Sequence, residues 1–328
     1  MAANTLIDAP RSTNGGSEGG SGRLVGAVLA GLGALLFVAS LLVHFYVVPT
    51  LAVAPIDQNS ITSLEAEDAT VFDTETLAPI TTDLSVKART VGDVKASEAA
   101  PDHAVVWVSS TTVSSPDKDE PLSQSVKRAA FDETTGEAVN CCDGFMETEK
   151  GVREKVTRTG LVFKFPFYTE KKNYQFWDDT LAKPVTTRYA GTAKLQGHSV
   201  WVFKNEVPAT VVGTQDVPGS LIGQESNDDV TADSYYQNHN TYYVEPVTGA
   251  IVNQVTETKS WFSYEGNDLV TTEAKIAYTP QETKETYDVL GNKPQLLGLA
   301  HGALPWVVAV VGLGLMVLGG ALSRRRAE

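Results

Sequence analysis

Apolar positions along this 328-residue chain follow two unlike patterns. At each end they run almost unbroken: residues 24–48 and 303–322 carry no Lys, Arg, Asp or Glu. As helices rising 1.5 Å per residue, these stretches reach roughly 37 and 30 Å, enough to cross a hydrocarbon core of about 30 Å. Between them, short runs rich in Val, Thr, Tyr and Phe are punctuated by Gly, Pro, Asp and Asn, the pattern of strands and turns. Strands are expected near 70–72, 84–90, 104–113, 125–131, 137–140, 160–167, 199–207, 240–244, 250–264 and 269–278. The expected fold class is a mainly β ectodomain, antiparallel and sheet- or barrel-like, flanked by two transmembrane α-helices.

The resulting organisation is a disordered cytoplasmic tail (1–23), a transmembrane helix (24–48), an extracytoplasmic β-rich domain (49–279), a juxtamembrane helical stalk (280–302), a second transmembrane helix (303–322) and a short cytoplasmic tail (323–328). The stalk follows from Thr279 as an N-cap, Pro280 at the first helical position, and acids early with Lys late in the segment. Ala52-Val53-Ala54 resembles a signal-peptidase site, but a signal core spans about 7–15 residues and this run is far longer, so an uncleaved anchor is expected.

Charge sets the orientation. Arg23 directly precedes the first span and Arg324, Arg325 and Arg326 follow the second, which puts both termini in the cytoplasm and the centre outside a plasma membrane. Residues 49–302 hold 21 of the 26 basic and 37 of the 40 acidic residues, a net of −16. Such a surface repels phosphate backbones, so no nucleic acid partner is expected.

The two cysteines, Cys141 and Cys142, are adjacent, too close for an ordinary structural staple. A vicinal disulfide, pairing between chains and free thiols all stay open, with a structural or incidental role ranked above a redox one. The stretch from Phe131 to Val139 resembles that from Val244 to Val252: an acidic residue opens a turn and Thr-Gly closes it. This pattern fits two related β-subdomains or, slightly better, two ordinary hairpins. Gly22, Gly26, Ala30 and Ala34 in the first span, with Gly312, Gly314, Gly319 and Gly320 in the second, would let helices pack together or form a homo-oligomer.

Catalytic motifs are absent: there is no nucleophile elbow, P-loop, H-E-x-x-H or dinucleotide fingerprint, and the five histidines lack metal-ligand spacing. The oxygen-rich stretches at 117–120 and 227–233 lack the spacing of a calcium loop. No enzyme activity, cofactor or metal is expected, although a hydrolase with an unrecognised site is retained as an alternative. The densest chemical feature lies between Phe163 and Trp177. Phe163, Phe165 and Phe167 alternate and would share one face of a strand, with Lys164 pointing the other way. With Lys171, Lys172, Tyr174 and Trp177 they form either sheet core, the favoured reading, or a groove for a membrane lipid or envelope glycolipid.

The stretch from Lys164 to Asp179 (KFPFYTEKKNYQFWDD), Tyr189-Ala-Gly-Thr192, the late Pro-Val-Thr-Gly249 turn and the two-anchor layout together resemble the actinobacterial porin PorA family. The resemblance implies a channel of the mycolic-acid outer layer of high-GC Gram-positive bacteria and supplies no catalytic residues. On the residues alone, the protein reads as an anchored envelope protein that binds lipid or scaffolds a partner. A channel component built from oligomerised helices is the alternative.

Overall fold

The computed structural model describes residues 18–324; most of the expected N-terminal tail, with Arg325 and Arg326, lies outside the described residues. The chain divides into a helical unit, made of residues up to Leu51 and from Leu297 on, and a strand unit from Ala52 to Leu296.

In the helical unit α1 (Glu18–Leu42) runs into a π-helical turn (Val43–Val47) and a last turn, α2 (Val48–Leu51). Pro49 explains the irregularity. It has no N–H to give and its ring crowds the carbonyl four residues back. The wider turn relieves that crowding, with the Val48 amide donating to Val43 O. The Thr50 hydroxyl lies within bonding reach of the carbonyls of Tyr46 (3.0 Å) and Val47 (2.9 Å).

The partner helix α6 (Ala303–Arg324) packs antiparallel against α1 through its smallest residues. A Cβ on Gly312 would lie 2.7 Å from Gly33 O, and one on Gly26 would lie 2.8 Å from Gly319 O. Gly26, Gly33 and Ser40 are buried on one helix and Pro305, Ala309, Gly312 and Gly319 on the other, so both faces recur at coiled-coil spacing. Leu and Val side chains point outward instead: Leu35, Val310 and Val317 are each at least 65% exposed. Gly314 and Gly320, grouped with Gly312 and Gly319 on sequence, face open space.

The strand unit is one antiparallel meander: β1 (Asn59–Asp73), β2 (Ala78–Gly92), β3 (Ala104–Ser114), β4 (Ser123–Asp132), β5 (Ala138–Val139), β6 (Phe145–Glu149), β7 (Val152–Lys155), β8 (Tyr174–Asp178), β9 (Lys183–Leu195), β10 (His198–Pro218), β11 (Asp229–Val244), β12 (Ile251–Tyr264) and β13 (Asn267–Tyr278). The strands are hydrogen-bonded in the order β7-β6-β4-β3-β2-β1-β13-β12-β11-β10-β9-β8, with β5 also on β4, so β13 returns to pair with β1 (Leu64 opposite Tyr278). Short helices α3 (Val94–Glu98), α4 (Pro280–Leu290) and α5 (Lys293–His301) complete the chain. Thr279 caps α4, its Oγ1 accepting from the Glu282 amide at 2.9 Å, and Glu282 in turn accepts from the Ser63 amide of β1 at 2.9 Å.

One residue closes the sheet into a ring. Leu161 bridges Glu137, beside β5, and Phe176 of β8. Its amide donates to Gln175 O and its carbonyl accepts from the Trp177 amide, both at 2.8 Å, while Gly160 O accepts from Ala138 at 2.8 Å. The two hairpins alike in sequence belong to this one sheet rather than to separate subdomains.

The ring is polar outside and largely apolar inside. Glu206, His239, Glu257 and Lys275 stand opposite one another across β10 to β13, His239 half-buried and the other three exposed, with Lys275 2.9 Å from Glu257. One register position further, the inward row is Thr187, Asn205, Asn240 and Thr256, joined by side-chain hydrogen bonds of 3.1, 3.0 and 2.6 Å. Period-2 alternation thus sends charge to water and satisfied amides inward.

Candidate functional site

The alternating Phe163, Phe165 and Phe167 do not form the expected strand, whereas Tyr174 and Trp177 at the end of the segment lie on β8. From Leu161 to Thr169 the chain is an irregular plug held by the two Thr-Gly turns. In the first turn the Asp132 carboxylate accepts from the amides of Thr134 (3.0 Å) and Thr135 (2.7 Å); in the second Glu245 accepts from Val247 (3.1 Å) and Thr248 (2.7 Å). Gly136 and Gly249 close these turns at φ 75° and 70°, which an L side chain rarely adopts.

Both turns then grip the plug through backbone groups. Val162 donates to Gly136 O (3.2 Å) and Phe167 to Thr134 O (2.9 Å) on one side; Phe165 donates to Gly249 O (3.0 Å) and Thr169 to Pro246 O (2.8 Å) on the other. A Cβ on Gly136 would sit 2.7 Å from Lys164 O, so glycine is also needed for the close approach. Pro166 gives no N–H where the chain switches from one turn to the other.

Because the plug is gripped from two sides, its phenylalanines part company. Phe163 packs with Trp107 and Phe131 under the first half of the sheet. Phe165, fully buried, stacks on Phe203 at 4.6 Å and touches Tyr174, Phe176 and Tyr242 of the second half. Phe167 is buried apart from both, beneath the Lys164 ammonium at 3.9 Å. The expected shared face does not form, and the aromatic run is core at this end of the ring.

Lys164 does not point to solvent. It is buried, its Nζ makes no hydrogen bond, and burial followed by repulsion from Lys293 lowers its pKa to about 7, against a small pull from Asp132. The other predicted residues divide. Trp177 is buried and donates from Nε1 to Asp179 at 3.0 Å. Tyr174 is half-buried, and burial raises its pKa. Lys171 and Lys172 are exposed; Lys171 lies over the Trp201 ring at 5.5 Å, and Lys172 pairs with Glu170.

Sequence reading missed a cavity of about 220 Å³ beside the plug. Cys141 and Cys142, joined by a disulfide, form part of its wall with Asn140, Lys155 and Arg158. Arg158 is only 2% exposed yet fully engaged: its guanidinium donates to Arg128 O (3.0 Å), Phe145 O (3.2 Å) and Asp179 (3.2 Å). Asp179 would be raised by burial, but Lys127 and Arg158 outweigh that and hold it below its ordinary value. Nothing in the local sequence marks Arg158, whose role depends on three distant partners.

Among the described residues, no group of three or more His, Cys, Asp or Glu side chains is placed to hold a metal ion. Two helices, Gly22–Leu51 and Ala303–Arg324, are long and apolar enough to cross a membrane. The chain is 23% identical to a Porin PorA from Corynebacterium amycolatum in a match covering 90% of this chain and 97% of that protein. The family described as Porin PorA matches residues 25–321. A meander of strands, two apolar helices and a match over nearly the whole length agree: this chain is a cell-envelope protein that belongs to the Porin PorA family.

Proposed function

We propose that the protein is anchored in a membrane by its helical hairpin, with both termini cytoplasmic, and that its strand ring works in water outside that membrane as a lipid- or glycolipid-binding or scaffolding domain. The observation that carries this reading is the charged outer face of the ring. A ring crossing lipid would turn an apolar band outward, and each Lys or Arg near mid-bilayer costs about 2–4 kcal/mol. Here Glu206, Glu257 and Lys275, all exposed, occupy that face.

The helices carry the complementary marks. Arg23 and Arg324 lie at one end of the hairpin. Phe45, Tyr46 and Trp306, all more than half exposed, lie at the other. From Arg23 to Phe45 a helix rises roughly 33 Å, so basic and aromatic groups sit about one bilayer apart. At the plug, Lys171 and Lys172 supply exposed cations beside Tyr174 and Trp201, a place for the headgroup of an amphiphile.

Family membership favours a second reading, a conducting assembly. Two helices packed glycine to glycine leave no lumen between them, so conduction would need hairpins from several copies, meeting through the open faces at Gly31 and Gly314. One experiment separates the readings. Full-length protein in planar bilayers is expected to give no unitary conductance, and cysteines placed at Glu257 or Lys275 in cells are expected to react with a membrane-impermeant maleimide. Steps of conductance that vanish when residues 303–322 are deleted establish the channel reading; cysteines shielded by lipid overturn the water-facing ring.

A further inference from the structure

We propose that Cys141–Cys142 is a thiol–disulfide exchange site, reduced by an external dithiol, whose reduction reshapes the cavity it lines. The bridge is poorly suited to be a staple. A cross-link between adjacent residues encloses no loop, so it removes little entropy from the unfolded chain. It also goes with unfavourable backbone: Cys142 and Asp143 are consecutive non-glycine residues at φ 63° and 56°, a region that L side chains disfavour. Reduction frees this loop to leave that conformation.

The surroundings favour exchange. Both cysteines are half-buried rather than sealed, and they face the cavity of about 220 Å³ instead of packed side chains. Lys155, exposed, and Arg158, buried, line the same cavity; a cationic neighbourhood stabilises a leaving thiolate, while Asp143 opposes it. The adjoining wall is pinned. The Asn140 side-chain amide donates to Arg158 O and accepts from the Arg158 amide, each at 2.9 Å, and the Arg158 guanidinium ties that wall to β4 and β6. Movement on reduction is thereby confined to residues 141–144.

A thiolate of the external dithiol attacks one cysteine sulfur, the S–S bond breaks, and the other cysteine departs as a thiolate. The second thiol of the reductant then attacks the mixed disulfide, which releases the first cysteine and closes the reductant's own disulfide. Two electrons pass from the dithiol to the pair, and two protons end on the cysteines.

The test uses full-length protein in detergent micelles with dithiothreitol as the reductant, trapping with iodoacetamide and intact-mass readout. Two alkylations are expected while the protein stays folded by circular dichroism. Lys155→Gln is expected to slow the reduction roughly three- to tenfold with an unchanged melting temperature, and Asp143→Asn to speed it. Amide exchange should rise at residues 141–144 and not at the Arg158 wall. If alkylation appears only once denaturant unfolds the chain, or if Lys155→Gln and Asp143→Asn leave the rate unchanged, the exchange site is refuted. Reduction without any change in exchange at 141–144 refutes the reshaping.

Discussion

In the helical hairpin the residues turned toward the neighbouring element are the smallest in the chain, Gly26, Gly33, Gly312 and Gly319, and the large apolar ones face outward. In the strand ring the order is reversed: Phe131, Phe165 and Phe203 are fully buried, and Glu257, Lys275 and Glu206 face out. On the proposed anchoring of the hairpin in a membrane, the same amino acids are sorted by two solvents. In water, burying a phenylalanine contributes about 1.5–3 kcal/mol, so the largest rings go inside. In lipid a Leu gains nothing by hiding, and association comes from backbones brought into contact, which only the smallest residues permit.

The contrast can be broken most severely at the ring's core. Phe165→Asp places an unpaired carboxylate among Phe203, Tyr174, Phe176 and Tyr242, at a cost of at least about 3–5 kcal/mol. The expected result is loss of the cooperative thermal transition and of near-ultraviolet circular dichroism, with the hairpin still helical. A folded variant that had lost only acyl-chain binding would show that the aromatic run is a groove after all.

A smaller effect is expected in the hairpin. Gly312→Leu drives a side chain into Gly33 O and Phe37 N and should weaken the helix pair by roughly 1–3 kcal/mol, while Gly314→Leu, facing open space, should change it little. Energy transfer between dyes near positions 23 and 324 in micelles reads the separation. Equal effects of the two substitutions would remove the assigned face.

The smallest effect concerns Lys164, whose ammonium is buried in the ring without a hydrogen bond. Lys164 titrates near 7 when folded and near 10.4 when unfolded, so the unfolded chain holds more protons between these values. Stability should therefore rise as pH climbs from about 7 toward 9.5, before unfolded-state tyrosines ionise. Lys164→Met should flatten that rise and stabilise the protein at pH 6 by on the order of 2 kcal/mol, with little gain at pH 9. Urea unfolding at three pH values decides; an unchanged slope in the variant would assign the dependence to other groups.

How much was legible in the sequence follows the same division. The helical ends are long, local signals, and so is the cap at Thr279 and Pro280, because each depends on residues within a turn of one another. Strand class could be read from composition, yet β6 to β9 were not expected: β6, β7 and β8 are at most five residues long, Pro184 and Gly191 interrupt β9, and pairing rather than propensity makes them strands. The plug was misread for a related reason. F-x-F-x-F has a strand's period, but the two turns that take its backbone hydrogen bonds lie 30 residues before and 80 after it, roughly, and period-2 spacing carries no record of them. Lys164 and Arg158 were invisible because burial belongs to the assembled ring.

The seam between β1 and β13 has a consequence for biosynthesis. Tyr278 follows its partner Leu64 by 214 residues. At synthesis rates of about 5–20 residues per second, the first strand waits roughly 10–40 s for its mate. Throughout that interval its outer edge offers unpaired amides and carbonyls to any other nascent chain. Aggregation of a protein laid out this way is expected to track the speed at which the ribosome reaches the last strand rather than the stability of the finished ring.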